Sequence, residues 1–125
     1  MTKKKILIVE DEECLADLLK INIIRRGFDV FAISNGEDAL VETAKIKPDI
    51  VILDVILPGI NGYEVCRKLR ANPETEDICI IILTAAAQKE DRIKAKQSGA
   101  SHYVLKPFDL NELIGNIHKY TGQKN

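Results

Sequence analysis

The chain has 125 residues, a formal net charge of −1 at pH 7, 46% hydrophobic residues and 30% charged residues. This balance is typical of one globular domain and argues against a nucleic-acid-binding surface, since Lys3, Lys4 and Lys5 form the only tight basic run. No apolar stretch approaches the ~20 residues that span a bilayer, and no secretory signal precedes Ile6. We therefore expect a single cytoplasmic domain over residues 1–125 that contacts neither nucleic acid nor membrane.

Short apolar runs alternate with helical patterns along the chain. Several runs consist almost entirely of Ile, Val and Leu, which is typical of parallel strands covered on both faces. The repeated order of strand then helix predicts an α/β fold, a flavodoxin-like doubly wound parallel sheet with strand order 2-1-3-4-5. The predicted strands are Ile6–Val9, Phe28–Ile33, Ile50–Leu53, Ile78–Leu83 and Tyr103–Leu105.

Helix-start signals follow most of these runs. Ser34, with Glu37 three residues later, predicts a capping box, and Asp109 with Glu112 predicts another N-terminus. The predicted helices are Glu12 to Arg26, one after Ser34, one after Asn61-Gly62, Gln88–Ser98 and one after Asp109.

The three cysteines do not suggest a disulfide or a metal site. Cys14, Cys66 and Cys79 are widely separated, odd in number, and form no Cys-x-x-Cys pair. We interpret them as small apolar side chains in a reducing compartment.

Polar side chains end four of the five apolar runs: Glu10 and Asp11, then Asp54, Thr84 and Lys106. Parallel strands deliver their carboxyl ends to one edge of the sheet, and the first and third strands are neighbours in the predicted order. Three carboxylates would then crowd together, although two charges about 4 Å apart repel by about 4 kcal/mol at an effective dielectric near 20. A hard divalent cation removes this cost, and oxygen-only ligands favour Mg²⁺.

Magnesium beside a lysine and a hydroxyl is typical of a phosphate site. A carboxylate can itself be the nucleophile and form an aspartyl-phosphate. Asp54 is the central candidate because it ends the middle strand, with Asp11 on one side and Thr84 and Lys106 on the other.

These residues resemble the receiver domain of two-component response regulators over essentially the whole chain. The resemblance implies a stand-alone, chemotaxis-regulator-like phosphoacceptor that catalyses only its own phosphorylation and dephosphorylation. The matching segments are ILIVEDEE at Ile6–Glu13, DVILPGINGYE at Asp54–Glu64, IIILTA at Ile80–Ala85 and GASHYVLKPF at Gly99–Phe108.

The resemblance implies a role for each strand-end acid. Asp54 would be the phosphoacceptor, and Mg²⁺ would be held by Asp11, by Asp54 and by the carbonyl of Ile56. Glu10 stands where many family members have Asp, and it would act on the metal through water.

The resemblance also implies how the phosphoryl group is sensed. Lys106 would pair with Asp54 and then with a phosphoryl oxygen, Thr84 would follow the phosphoryl group inward, and Tyr103 would change rotamer. The Lys106–Pro107 peptide would be cis. The surface of the fourth helix, fifth strand and fifth helix would then change for a downstream target protein.

The implied donor is a phosphohistidine on a histidine kinase or a histidine phosphotransfer protein. Ile56 and Ala86 occupy the positions two after the acceptor and two after the hydroxyl, where the family tunes dephosphorylation. Neither side chain can orient a water, so we expect slow loss of the phosphoryl group. The protein would be a monomer or a phosphorylation-dependent dimer.

Three alternatives stay open at this point. A receiver cut from a longer regulator with a DNA-binding or catalytic output domain fits the same residues, although the end at Thr121–Asn125 favours a stand-alone protein. A haloacid-dehalogenase-type phosphatase needs a second Asp where Ile56 stands. A flavodoxin-like flavin carrier needs a Gly- and hydroxyl-rich loop where Glu10–Glu13 is acidic.

Overall fold

The computed structural model describes residues 3–85 and 89–122 of the chain. Within them, five strands alternate with five helices, as the apolar periodicity predicts. The predicted helix start at Gln88 and the predicted role of Ala86 lie outside the described residues. The elements are β1 Lys5–Val9, α1 Glu13–Ile24, β2 Asp29–Ile33, α2 Gly36–Ile46, β3 Ile50–Asp54, α3 Gly62–Ala71, β4 Cys79–Thr84, α4 Lys89–Gln97, β5 His102–Leu105 and α5 Leu110–Thr121.

The strands form one parallel sheet in the order β2-β1-β3-β4-β5, which confirms the predicted topology. β3 lies in the middle and all its residues are buried, whereas the edge strand β2 is largely exposed. The strand order therefore brings the carboxyl ends of β1, β3, β4 and β5 side by side.

Two apolar layers cover the two faces of the sheet, because successive side chains of a strand point to opposite sides. In β1, Ile6 and Ile8 pack in one layer with residues of α1 and α5. Leu7 and Val9 pack in the other layer with residues of α2, α3 and α4. The chain is thus a three-layer α/β domain with its core on both sides of the sheet.

The start of α2 differs from the predicted capping box. The N-cap is Asn35, whose side-chain oxygen accepts a hydrogen bond from the amide of Asp38 at 2.8 Å, so the prediction for Ser34 was wrong. Glu37 does not fold back on its own helix, and its Oε1 accepts a hydrogen bond from the amide of Ile60 at 3.0 Å. The side chain instead anchors the loop between β3 and α3.

No helix among residues 3–85 and 89–122 has both the length and the apolar content needed to cross a bilayer.

Candidate functional site

Asp54 ends the central strand and is only 2% exposed. Its Oδ2 accepts a hydrogen bond from Nζ of Lys106 at 2.5 Å, and its Oδ1 accepts one from the amide of Ile56 at 2.9 Å. The Lys106 side chain is about a quarter exposed, so the ion pair lies at the boundary between core and solvent. Each carboxylate oxygen is therefore engaged while the group remains reachable from outside.

Backbone pairing places Thr84 and Lys106 beside this carboxylate. The amide of Lys106 donates to the carbonyl of Thr84 at 2.8 Å, which extends the β4–β5 ladder to the rim of the sheet. Thr84 is buried and lines a cavity of about 220 Å³ that also borders Asp54, Lys106, Ile56 and α4. The structure thus gathers a carboxylate, an ammonium and a hydroxyl around one small opening.

Glu10 lies against Asp54 on the β1 side of the site and is 4% exposed. Its Oε2 accepts a hydrogen bond from the amide of Glu12 at 3.1 Å, but its Oε1 has no hydrogen-bond partner among the described residues. Burial, reinforced by the neighbouring Asp54 carboxyl group, raises the pKa of Glu10 to about 8. Lys106 opposes this shift without cancelling it.

Asp11 is exposed and, with Glu10, lines a separate cavity between α1 and the end of β2. Among the residues that the structure describes, no group of three or more His, Cys, Asp and Glu side chains is arranged to hold a metal ion. The structure therefore brings Glu10 and Asp54 together and leaves the third predicted carboxylate at the surface.

The first turn of α3 packs directly on the end of β3. The amide of Gly62 donates to the carbonyl of Val55 at 2.9 Å, and a Cβ atom at Gly62 would lie 2.3 Å from the carbonyl oxygen of Asp54. Asn61 caps the helix by accepting a hydrogen bond from the amide of Glu64 at 3.0 Å. Only glycine permits this close approach, which fixes α3 relative to the site.

Tyr63, the next residue of α3, contacts the site and was not among the predicted site residues. Its hydroxyl lies 3.3 Å from Oγ1 of Thr84 and donates to the carbonyl of Asp91 in α4 at 3.2 Å. The sequence signal was weak, because a tyrosine in the first turn of an amphipathic helix is read as a core residue.

The remaining predicted site residues are Ile56, Tyr103 and the Lys106–Pro107 pair, and of these Ile56 and Lys106 line the cavity over Asp54. The side chain of Ile56 is 71% exposed at its mouth. Tyr103 is half-buried on β5, packs against the layer of α2, α3 and α4, and borders two shallow cavities of the neighbouring surface. The Lys106–Pro107 peptide is cis.

The fold and this strand-end site together define a receiver domain. Residues 6–118 match the family model described as the response regulator receiver domain. The chain therefore belongs to the receiver domains of two-component response regulators. This membership decides against the phosphatase and the flavin carrier.

Known proteins of this family resemble the chain in sequence and in structure. It is 44% identical over 113 residues to the phosphate regulon transcriptional regulatory protein PhoB of Rhizobium meliloti, a match that covers 90% of this chain and 50% of that protein. Chemotaxis response regulator CheY4 of Vibrio cholerae superposes with a TM-score of 0.88 and 25% identity over 95% of this chain and 99% of that chain.

A second similar structure was solved with a metal ion. The receiver domain of sensor histidine kinase PA1611 from Pseudomonas aeruginosa has magnesium coordinated in its active-site cleft. It superposes with a TM-score of 0.84 and 27% identity over 98% of this chain and 100% of that chain. The chain spans only about half the length of the curated relatives it matches.

Proposed function

We propose that Asp54 accepts a phosphoryl group from a phosphohistidine of a histidine kinase or a histidine phosphotransfer protein. The observation that carries this proposal is the buried Asp54 carboxylate paired with Lys106 at 2.5 Å. The pair opens on a cavity that Thr84 also lines. A purely structural ion pair does not need a neighbouring hydroxyl and a solvent-accessible opening, whereas a phosphoryl acceptor does.

The oxygen donors around the acceptor fit Mg²⁺ by their chemistry, and Asp11 would have to turn in from the surface to join the others. Glu10 keeps a buried oxygen without a hydrogen-bond partner beside the Asp54 carboxyl group, and a cation would give that oxygen a partner and offset the repulsion between the two carboxyl groups. The groups that would hold the ion are Glu10, Asp11, Asp54 and the carbonyl of Ile56, and all of them offer oxygen. When bound, the ion supplies charge neutralisation at the carboxylates and at the transferred phosphoryl group.

Each polar side chain around the cavity has a separate role in the phosphoryl transfer. A carboxylate oxygen of Asp54 forms the new bond to phosphorus while the P–N bond of the donor breaks, and its electron pair returns to the donor imidazole. Lys106 shifts its ammonium from the carboxylate towards a phosphoryl oxygen and stabilises the charge there. Thr84 supplies a hydroxyl hydrogen bond to another phosphoryl oxygen.

The exposed side chain of Ile56 supports a slow return to the unphosphorylated state. It cannot hold an attacking water by hydrogen bonding, and Ala86, which lies outside the described residues, has no polar group either. Ile56→Asn combined with Ala86→Glu should shorten the lifetime of the phosphorylated chain. An unchanged decay rate in this double variant would count against the proposal.

The output of the switch is assigned to the surface formed by α4, β5 and α5. Tyr103 lies on β5 at the centre of that surface, and we propose that it turns inward when Thr84 moves. A downstream protein, or a second copy of the chain, would then bind the changed surface. We assign the exchange to the cytoplasm, because the free thiols of Cys14, Cys66 and Cys79 fit a reducing compartment.

A second candidate is a receiver that controls a further domain of the same protein. The length of the curated relatives favours it, since the chain covers 50% of a transcriptional regulator and 49% of a DNA-binding response regulator. In that case, the surface of α4, β5 and α5 acts within a longer chain. Sequencing the reading frame around the region encoding residues 1–125 distinguishes the two candidates.

Intact-mass spectrometry after incubation with acetyl phosphate and Mg²⁺ tests the acceptor. The wild-type chain should gain one phosphoryl group, and Asp54→Asn should gain none. Asp49→Asn is the matched control, because Asp49 lies near Lys4 on the surface away from the cavity and should label like the wild type. Lys106→Met should label far more slowly. Equal labelling of Asp54→Asn and the wild type would refute the assignment.

A further inference from the structure

The hydroxyl of Tyr63 connects the phosphoryl site to α4. The side chain is only 7% exposed and lines the cavity over Asp54. Its oxygen lies between Oγ1 of Thr84, at 3.3 Å, and the carbonyl oxygen of Asp91, at 3.2 Å. Two elements that the site must coordinate, β4 and α4, therefore meet at one phenolic oxygen.

The direction of these two hydrogen bonds follows from the number of hydrogens. A tyrosine hydroxyl has one hydrogen, and a backbone carbonyl can only accept. The hydrogen of Tyr63 therefore goes to the carbonyl of Asp91. The hydrogen between Tyr63 and Thr84 must then come from Thr84, whose single hydroxyl hydrogen is directed at the phenol and not at the space above Asp54.

We infer that Tyr63 is a positioning residue that holds the Thr84 hydroxyl away from the acceptor and competes with the phosphoryl group for its hydrogen bond. This inference rests on the proposed function. Thr84 cannot donate its hydrogen to the phenol and to a phosphoryl oxygen together, so phosphorylation breaks the contact. The phenol then loses the partner that helps fix it against α4, and the change at Asp54 reaches α4 by a route separate from Tyr103.

Tyr63→Phe removes the phenolic oxygen and keeps the ring in the core. The probe is beryllofluoride, which mimics an acyl phosphate, added with Mg²⁺ to the full chain and followed by amide NMR or calorimetry. Without the competing hydrogen bond, beryllofluoride should bind about fivefold more tightly, which corresponds to about 1 kcal/mol. Tyr120→Phe is the matched control, since Tyr120 lies on the surface of α5, with its hydroxyl 3.5 Å from the carbonyl of Ser101, and its loss should leave the affinity unchanged.

A double-mutant cycle shows whether the effect passes through Thr84. In a Thr84→Val background the hydroxyl is gone, so Tyr63→Phe should no longer tighten beryllofluoride binding. In a Thr84→Ser background the hydroxyl is retained, and the roughly fivefold gain should persist. A merely structural role for the tyrosine would give the same change in all three backgrounds.

Amide hydrogen exchange of the unliganded chain gives a readout that does not need the phosphoryl site. Tyr63→Phe should raise the exchange rates of α4 several-fold relative to the wild type, because the tie to Asp91 is lost. Unchanged exchange rates in α4 would overturn the claim that the hydrogen bond from Tyr63 to Asp91 stabilises this helix. Unchanged beryllofluoride affinity, or a gain that survives in Thr84→Val, would overturn the competition while leaving Asp54 as the acceptor. A wild-type chain that binds no beryllofluoride would overturn the proposed function and this inference with it.

Discussion

Substitution of Gly62 by alanine tests how closely α3 must approach the acceptor strand. The added Cβ atom would lie 2.3 Å from the carbonyl oxygen of Asp54 and 2.8 Å from Cα of Val55. Both neighbours are backbone atoms at the end of β3 and the start of the following loop, so neither can rotate aside. The first turn of α3 would have to move away from the strand end by about 1 Å to reach ordinary contact near 3.4 Å.

The size of the effect follows from this displacement. Overpacking of this kind lowers the free energy of unfolding by about 1–3 kcal/mol, and the better helix propensity of alanine offsets up to about 1 kcal/mol of that loss. We expect a net loss of about 1–2 kcal/mol in the free energy of unfolding. An unfolding entropy of about 2.1 cal/mol/K per residue gives about 260 cal/mol/K for 125 residues, so the thermal midpoint should fall by about 4–8 °C.

Gly115→Ala is the matched control for this prediction. Gly115 lies on the exposed side of α5, and a Cβ atom there would meet nothing within 4 Å. The same chemical change should therefore stabilise the chain by about 0.5–1 kcal/mol and raise the midpoint by about 2–4 °C. Both variants are compared with the wild type by thermal unfolding followed by circular dichroism. A Gly62→Ala midpoint equal to or above that of the wild type would refute the reasoning.

Two further predictions concern residues outside the strand-end site. Arg70 donates four hydrogen bonds, to three carbonyls and one hydroxyl of the segments before β4 and β5, so Arg70→Ala should cost about 2 kcal/mol in thermal unfolding. Arg67→Ala, which removes only a surface ion pair, should change the thermal midpoint little. Equal midpoints for Arg70→Ala and Arg67→Ala would contradict the role of Arg70. Burial raises the pKa of the Cys66 and Cys79 thiols, so iodoacetamide at about pH 8 should modify the exposed Cys14 first. The two slower thiols should react faster as the pH is raised, because burial moves formation of their thiolates to higher pH, and peptide mass spectrometry that found all three modified equally early at about pH 8 would contradict the assignment.

The topology could be predicted because it depends on features that are local in sequence. Apolar runs of strand length, separated by helical patterns, allow few arrangements, and the order 2-1-3-4-5 was among them. The start of α2 could not be fixed in the same way. Ser34 and Asn35 are both good N-cap residues, and the choice of Asn35 left Glu37 free to bind the amide of Ile60. That partner comes from a distant loop which the sequence of α2 does not reveal.

The site shows the same division between local and distant information. The pairing of Asp54 with Lys106 follows from two strand ends at one edge, and the structure brings them to 2.5 Å. The surface position of Asp11 does not follow, because Asp11 lies two residues beyond the end of β1, where the strand no longer fixes the direction of a side chain. Tyr63 was missed for a related reason: the partner of its hydroxyl is set by how α3 packs on β4 and α4, and helical periodicity gives only the position of the ring.

The first turn of α3 both packs on the end of β3, through Gly62, and contacts Thr84 and α4, through Tyr63. The glycine lets the helix backbone approach the carbonyl of Asp54 closely. That contact fixes the distance between α3 and the end of β3, and with it the position of the next residue, Tyr63, in the cavity. In this position, the hydroxyl of Tyr63 lies within 3.3 Å of both Oγ1 of Thr84 and the carbonyl oxygen of Asp91. A displacement of about 1 Å at the glycine would exceed the tolerance of both hydrogen bonds. The close packing that stabilises the helix start is therefore also the condition for the contact between Tyr63 and Thr84, so a variant such as Gly62→Ala should loosen α4 as well as the end of β3.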